Sequence, residues 1–232
     1  MPIVERSGRP SENSDPSRCV RNRRTSGARV ALAALVAGFA LVGCGGRTPQ
    51  IHYYVLRAPD RSESAEVSAS RDTGSGLGIG VEAFRVEPPF DDDRIVFRVG
   101  EGSPEVGFYA YHRWAAPLRR TLPGIAADAL RGTPGVASIE PSRPGTRYDA
   151  LLLGRILSLE EIDMADGQIV RVRLSLTLRL ADDSDLWSAT LGEETRTRTS
   201  DVEDVVRAMG RVISDAFARA ESELAASLAS RR

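Results

Sequence analysis

From Ile169 to Leu180 the chain alternates without a break. Val170, Val172, Leu174, Leu176, Leu178 and Leu180 occupy every second position, with Arg171, Arg173, Ser175, Thr177 and Arg179 between them. Successive side chains of a strand point to opposite faces, so this segment can only be a strand with one face in a core and the other in water. Asp166-Gly167 precedes it and Asp182-Asp183-Ser184-Asp185 follows it, and both are turn sequences. The apolar run Tyr148–Ile162 before the first turn and Leu186–Thr199 after the second are therefore expected to pair with it as a three-strand antiparallel meander. Tyr148–Ile162 is mostly apolar on both faces until Ser158, as in a central strand covered on both sides. Within that run Glu160 and Glu161 are neighbours, so on a strand they face opposite ways and form no acid/base pair.

After the meander, Ser200-Asp201-Val202-Glu203 has the spacing of a capping box. Val202, Val205, Val206, Met209, Val212, Ile213, Ala216, Ala220, Leu224 and Leu228 then recur at three- and four-residue steps, which predicts a long amphipathic helix. A second helix is expected over Ala116–Leu130, where Leu118, Leu122, Ile125, Ala126 and Ala129 share a face. Pro117 suits its first turn, and Pro123 should kink or divide it. Shorter strands are expected at Ile51–Leu56, Leu77–Val86, Arg94–Val99, Val106–Tyr109 and Val136–Ile139. In Arg94–Val99, Ile95, Phe97 and Val99 face one way, and Arg94, Val96 and Arg98 the other. The fold class is α+β: a mostly antiparallel sheet, ending in the meander, packed against two helices.

The first fifth of the chain has a different character. A basic stretch, Arg18–Arg29, leads into residues 30–42, all Ala, Val, Leu, Gly or Phe, and the run ends in Leu41-Val42-Gly43-Cys44. It is too short for a permanent span, which takes about 20 apolar residues. Basic flank, short apolar run and terminal cysteine together resemble the export signal and lipobox of bacterial lipoproteins. The resemblance implies cleavage after residue 43 and a covalent lipid on Cys44, with Gly45 in the place where aspartate would retain the protein at the inner membrane. The expected organisation is a signal peptide at 1–43, a tether at 44–50, and one domain at 51–232 with a flexible Ser- and Gly-rich loop at 59–76.

Cys19 and Cys44 are the only cysteines, so no disulfide staples the domain. Of 31 basic and 32 acidic residues, seven and three precede Cys44, which leaves 24 against 29 and a formal charge of −5. An acidic domain is not a non-specific nucleic-acid binder. Every basic residue is arginine, which reads first as the coding bias of a GC-rich genome and only second as a choice of the planar fork that suits bidentate contact with anions. There are two histidines, His52 and His112, and no Gly-x-Ser-x-Gly or Walker pattern. Asp91-Asp92-Asp93 lacks the ligand spacing of a calcium loop and reads as a solvated turn. No metal, cofactor or catalytic residue is expected, and the chain is not expected to be an enzyme.

A set of short segments remains: Tyr53-Tyr54-Val55-Leu56; Leu77-Gly78-Ile79-Gly80-Val81; Phe90 through Asp93-Arg94-Ile95-Val96 with Arg98; and Arg113-Trp114-Ala115-Ala116-Pro117-Leu118. In order and spacing these resemble the ABC-type transport auxiliary lipoprotein family, which includes the paraquat-inducible (PqiC-like) lipoproteins. The Asp91–Asp93 triplet, and Ala116 where an acid is common, depart from the usual pattern. The resemblance implies a non-catalytic lipoprotein on the periplasmic face of the outer membrane. Its partners would be an MCE-domain protein and the ABC permease and ATPase of a phospholipid transport system. It places Arg94, Arg98, Arg113 and Trp114 on a candidate partner surface and leaves a homo-oligomer open. Two other readings stand beside it: a carrier holding an acyl chain between sheet and helix, and, disfavoured, an envelope hydrolase.

Overall fold

The computed structural model describes residues 49–58 and 76–230. The expected signal peptide, Cys44 and nearly all of the loop at 59–76 lie outside the described residues. In chain order the elements are β1 (His52–Tyr54), β2 (Leu77–Val81), β3 (Arg85–Val86), β4 (Arg94–Arg98), β5 (Val106–Trp114), α1 (Leu118–Leu130), β6 (Val136–Pro141), β7 (Ala150–Met164), β8 (Gly167–Leu180), β9 (Asp185–Arg196) and α2 (Val202–Ala229).

β7 is the axis of a single mixed sheet. Along one edge it pairs antiparallel with β8 from Ala150↔Leu180 to Met164↔Gly167, and β9 continues the meander. Along its other edge lie β2, β3 and β4 in succession, all parallel to it, opposite Ala150–Leu152, Arg155–Ile156 and Glu161–Ile162. β6 extends the sheet from β2, while β5 and then β1 extend it from β4. The α+β class and the meander stand, and the long ladders are the antiparallel ones. Leu77–Val86 is two strands rather than one. The amides of Glu82 and Glu87 still bond the carbonyls of Leu152 and Ile156, and between them Phe84 lays its ring against Gly154, where a β-carbon would collide with it. β5 is longer than expected and runs through to Trp114.

Both helices lie on one face. Val170, Val172, Leu174, Leu176 and Leu178 of β8 form a fully buried layer with Val205, Met209, Ile213, Phe217 and Leu224 of α2. On the opposite face β7 is open along Leu151–Arg155, whereas further on the outward-facing Ser158, Glu160 and Ile162 are buried. Leu151 and Leu153 are only half-buried, so the first half of β7 is covered on one face alone, while Ser158–Ile162 is buried on both.

Two helix details differ from the sequence pattern. The capping box does not form: Asp201 is the N-cap and makes no side-chain bond, and Glu203 reaches forward to Arg207. Instead Asp204 reaches back, its Oδ2 accepting the amides of Arg198 at 2.5 Å and Thr199 at 2.9 Å. Those bonds hold its carboxyl below the usual carboxylate range. In α1, Pro123 lies inside the helix, which runs on through it. Proline cannot donate to the carbonyl four residues back, that of Arg119. The Phe84 amide donates to it instead, at 3.1 Å, so the group proline leaves open becomes the tie between α1 and the β2–β3 break.

Candidate functional site

Two of the segments that carry the family resemblance, far apart in sequence, become the walls of one groove. The first is the turn between β3 and β4. Phe90 is buried, and its amide bonds the Glu87 carbonyl at 2.9 Å. Asp92 then clamps Arg94: Oδ1 accepts from the backbone amide (2.8 Å) and Nε (2.9 Å), and Oδ2 from Nη2 (2.8 Å). This forked bond, with the guanidinium charge, holds the Asp92 carboxyl far below the usual range. The Arg94 guanidinium also lies 4.2 Å from the centre of the Phe108 ring. Asp93 ties the turn to β5, its carbonyl accepting the Trp114 amide at 2.6 Å and its carboxylate the Arg113 Nη1 at 2.8 and 2.9 Å.

The second wall is the passage from β5 into α1. Trp114 is 6% exposed and packs in the core. The Ala115 amide bonds the Tyr54 carbonyl at 2.8 Å, and Pro117 opens the helix, its carbonyl accepting from Arg120 and Thr121. Between the walls is a half-open groove of about 740 Å³ with Phe84, Val86, Phe90 and Trp114 on its floor, Asp91 and Arg119 on its rim, and Tyr53 of β1 beside it, 64% exposed.

Of the four residues expected on a partner surface, three meet here. Trp114 contributes from beneath, as a core side chain that reaches the groove floor. Arg94 and Arg113 stand behind the rim, each holding one of its aspartates. Arg98 is elsewhere: it bonds Glu160 through Nε (3.0 Å) and Nη2 (2.9 Å), and the Ser103 carbonyl through Nη1 (2.5 Å). The Asp91–Asp93 turn is thus half a clamp for two arginines rather than merely solvated.

A second cluster was not legible beforehand. A bulge between Ile156 and Ser158 inverts the facing of β7, so Glu161, opposite Val170, turns into the core with no exposure. The Tyr109 hydroxyl donates to its Oε2 at 2.8 Å, while Oε1 has no partner. Burial pushes the Glu161 carboxyl up to about 7, against the opposing pull of that hydrogen bond. Tyr109 meets His112 edge-on with ring centres 5.5 Å apart. His112 Nδ1 lies 3.0 Å from the Tyr54 hydroxyl, and the rings of His52 and His112 stack at 5.3 Å. Burial, helped by His52, lowers the pKa of His112, so at neutral pH the ring is uncharged and able to accept a bond. Glu160, one residue away, faces out to Arg98. The signal for this cluster lies in the β4–β7 and β1–β5 registers, which bring together residues about sixty apart and leave no local pattern. As an arrangement it can hold a proton on Glu161, but no hydroxyl or thiol nucleophile stands between an acid and a base within it.

Among the described residues no group of three or more His, Cys, Asp or Glu side chains is placed to hold a metal ion. No described helix is long and apolar enough to cross a membrane.

Comparison with solved structures shows where this fold recurs. The crystal structure of a Xanthomonas campestris protein superposes with a TM-score of 0.61 at 15% identity, covering 78% of this chain and 99% of that one. That of an uncharacterized protein gives 0.58 at 13%, covering 76% and 99%. Comparison with curated proteins gave no significant match. Residues 54–228, from β1 to the last turn of α2, match the family model of the ABC-type transport auxiliary lipoprotein component, and the chain belongs to that family.

Proposed function

We propose that this protein is the non-catalytic, lipid-anchored accessory of an envelope phospholipid transporter. Cys44 carries the anchor at the periplasmic face of the outer membrane, and the groove between the Phe90–Asp93 turn and the start of α1 docks the transporter's MCE-domain protein. The observation that carries the reading is the family match from residue 54 to 228, which takes in both walls of the groove. The groove's character suits a protein partner: an aromatic floor, an exposed tyrosine at the mouth and a rim of both charges. The alternative of an acyl chain held between sheet and helix has less support, because Phe217, Leu174, Leu176, Leu178 and Leu224 fill that layer with no exposure.

Crosslinking the tagged protein in intact cells, with a Cys44→Ala variant alongside, tests the proposal. Recovery of an MCE-domain protein, diminished in the variant and in Tyr53→Ala, is expected. Absence of every transporter component while the protein is lipidated and abundant would overturn it.

A further inference from the structure

The open part of the β7–β8 outer face carries a cleft of about 420 Å³, in which arginines and hydroxyls stand beside two leucines. The registers define it rung by rung. Arg85 on β3 is directly opposite Arg155 on β7, which is opposite Ser175 on β8; the next rung pairs Leu153 with Thr177, and the one after pairs Leu151 with Arg179. Like charges directly opposite on neighbouring strands destabilise a sheet. Arg155 is offset by Glu87, and Arg179 by Asp185 at 2.8 Å, both partners standing at the sides of the cleft. Arg85 has no such partner. Among the described residues neither it nor the Ser175 and Thr177 hydroxyls makes a hydrogen bond or an ion pair. The cleft's one acid, Glu82, accepts a bond from Ser142 at 3.2 Å. One rung further along the same face, Ser158, opposite Arg173, is 7% exposed, and its hydroxyl has no partner.

Donors thus converge on one cleft: the free guanidinium of Arg85, directly across from it the Arg155 guanidinium, held on one side by Glu87, and a pair of unbonded hydroxyls, flanked by two leucines. A guanidinium fork matches two oxygens of a tetrahedral oxyanion, and hydroxyls complete its coordination. We propose that this cleft binds a phosphate group, with Arg85, Arg155, Ser175 and Thr177 on its oxygens and Leu151 and Leu153 against the carbon side of an ester. The phosphate is either free or the headgroup of a lipid. The inference is independent of the docking reading, since it concerns the purified chain alone.

Native mass spectrometry of the full lipidated chain, released from a non-ionic detergent micelle, tests it. The chain is incubated separately with inorganic phosphate, with dioctanoyl phosphatidic acid, and with dioctanoylglycerol, which has the same chains and no phosphate. A one-to-one phosphatidic acid adduct, absent with dioctanoylglycerol and displaced by inorganic phosphate, is expected, and it identifies a lipid headgroup site. An inorganic phosphate adduct at least as abundant as the lipid adduct identifies a free-phosphate site. In both cases Arg85→Gln should lower occupancy at least tenfold, Ser175→Ala with Thr177→Ala should lower it less, and Arg131→Gln, at the far end of α1, should leave it unchanged. Melting curves identify any variant that fails to fold. Equal adducts with dioctanoylglycerol, no adduct at all from the wild-type chain, or full occupancy in folded Arg85→Gln would overturn the proposal.

Discussion

The two halves of the sheet are held together differently. On one side of β7, consecutive strands pair over their whole length and α2 seals the layer. On the other, six short strands pair with distant partners: β1 with β5 across sixty residues, β2 with β6 and β7, and β4 with β7. The meander derives its stability from continuous ladders and apolar area. The short-strand arm relies on single ties, namely Phe84 in the gap at Gly154, the Phe84 amide on the carbonyl freed by Pro123, and the Asp92 and Asp93 clamps. Cooperative unfolding should therefore be governed by the meander, and local opening by the arm.

The largest expected effect breaks the meander side. Phe217 has no exposure and sits among the β8 leucines, so Phe217→Ala should cost about 3–5 kcal/mol, read as a lowered midpoint in urea. Loss of under 1 kcal/mol would mean that α2 is not what seals the sheet.

Next comes a pH effect at the seam between the halves. Glu161 titrates near 4.5 when unfolded and near 7 when folded, so the folded chain holds a proton that the unfolded chain has lost. Its contribution is complete below about pH 4.5, falls as pH rises toward 7, and is flat beyond, a difference of roughly 3 kcal/mol over that window. Glu161→Gln keeps an acceptor for the Tyr109 hydroxyl and cannot ionise. Urea unfolding of both proteins at pH 5, 6, 7 and 8 should show the variant gaining on the wild type through pH 7, and a constant difference would refute the buried, protonated carboxyl.

Smaller again is Gly210→Ala. Alanine is the better helix former by about 1 kcal/mol, yet a β-carbon at Gly210 would overlap the Arg57 carbonyl oxygen. The segment after β1 must then lift from α2, for a net loss of about 1–3 kcal/mol. Hydrogen exchange should quicken at Tyr54–Leu56 more than in β8, and equal exchange in both places would mean that β1 does not dock on α2 at this point.

The same division governs what the sequence could reveal. Period-two alternation in β8, the turns around it and the three- and four-residue steps of α2 are local patterns, and the structure repeats them. The break at Glu82–Phe84, the full length of β5 and the continuity of α1 through Pro123 each depend on a partner far along the chain, so no window of sequence contains them. The groove walls could be recognised as the segments shared with a family, but their meeting could not. A bulge at Leu157 decides that Glu161, not Glu160, enters the core, and nothing in the run Leu151–Ile162 marks it.

The smallest effect separates docking from folding. Arg113 and Asp93 form a single ion pair at the rim, with side chains 30% and 56% exposed. Such pairs contribute about 0–1 kcal/mol, because water screens the charges and two long side chains lose freedom. Arg113→Gln should therefore leave the urea midpoint nearly unchanged while freeing the Asp93 carboxylate and loosening the turn that carries Phe90. If crosslinking to the transporter falls severalfold in this variant at unchanged stability, the loss belongs to the groove and not to a weakened fold. If crosslinking is unaffected in Arg113→Gln and in Tyr53→Ala alike, the docking surface lies elsewhere on the arm.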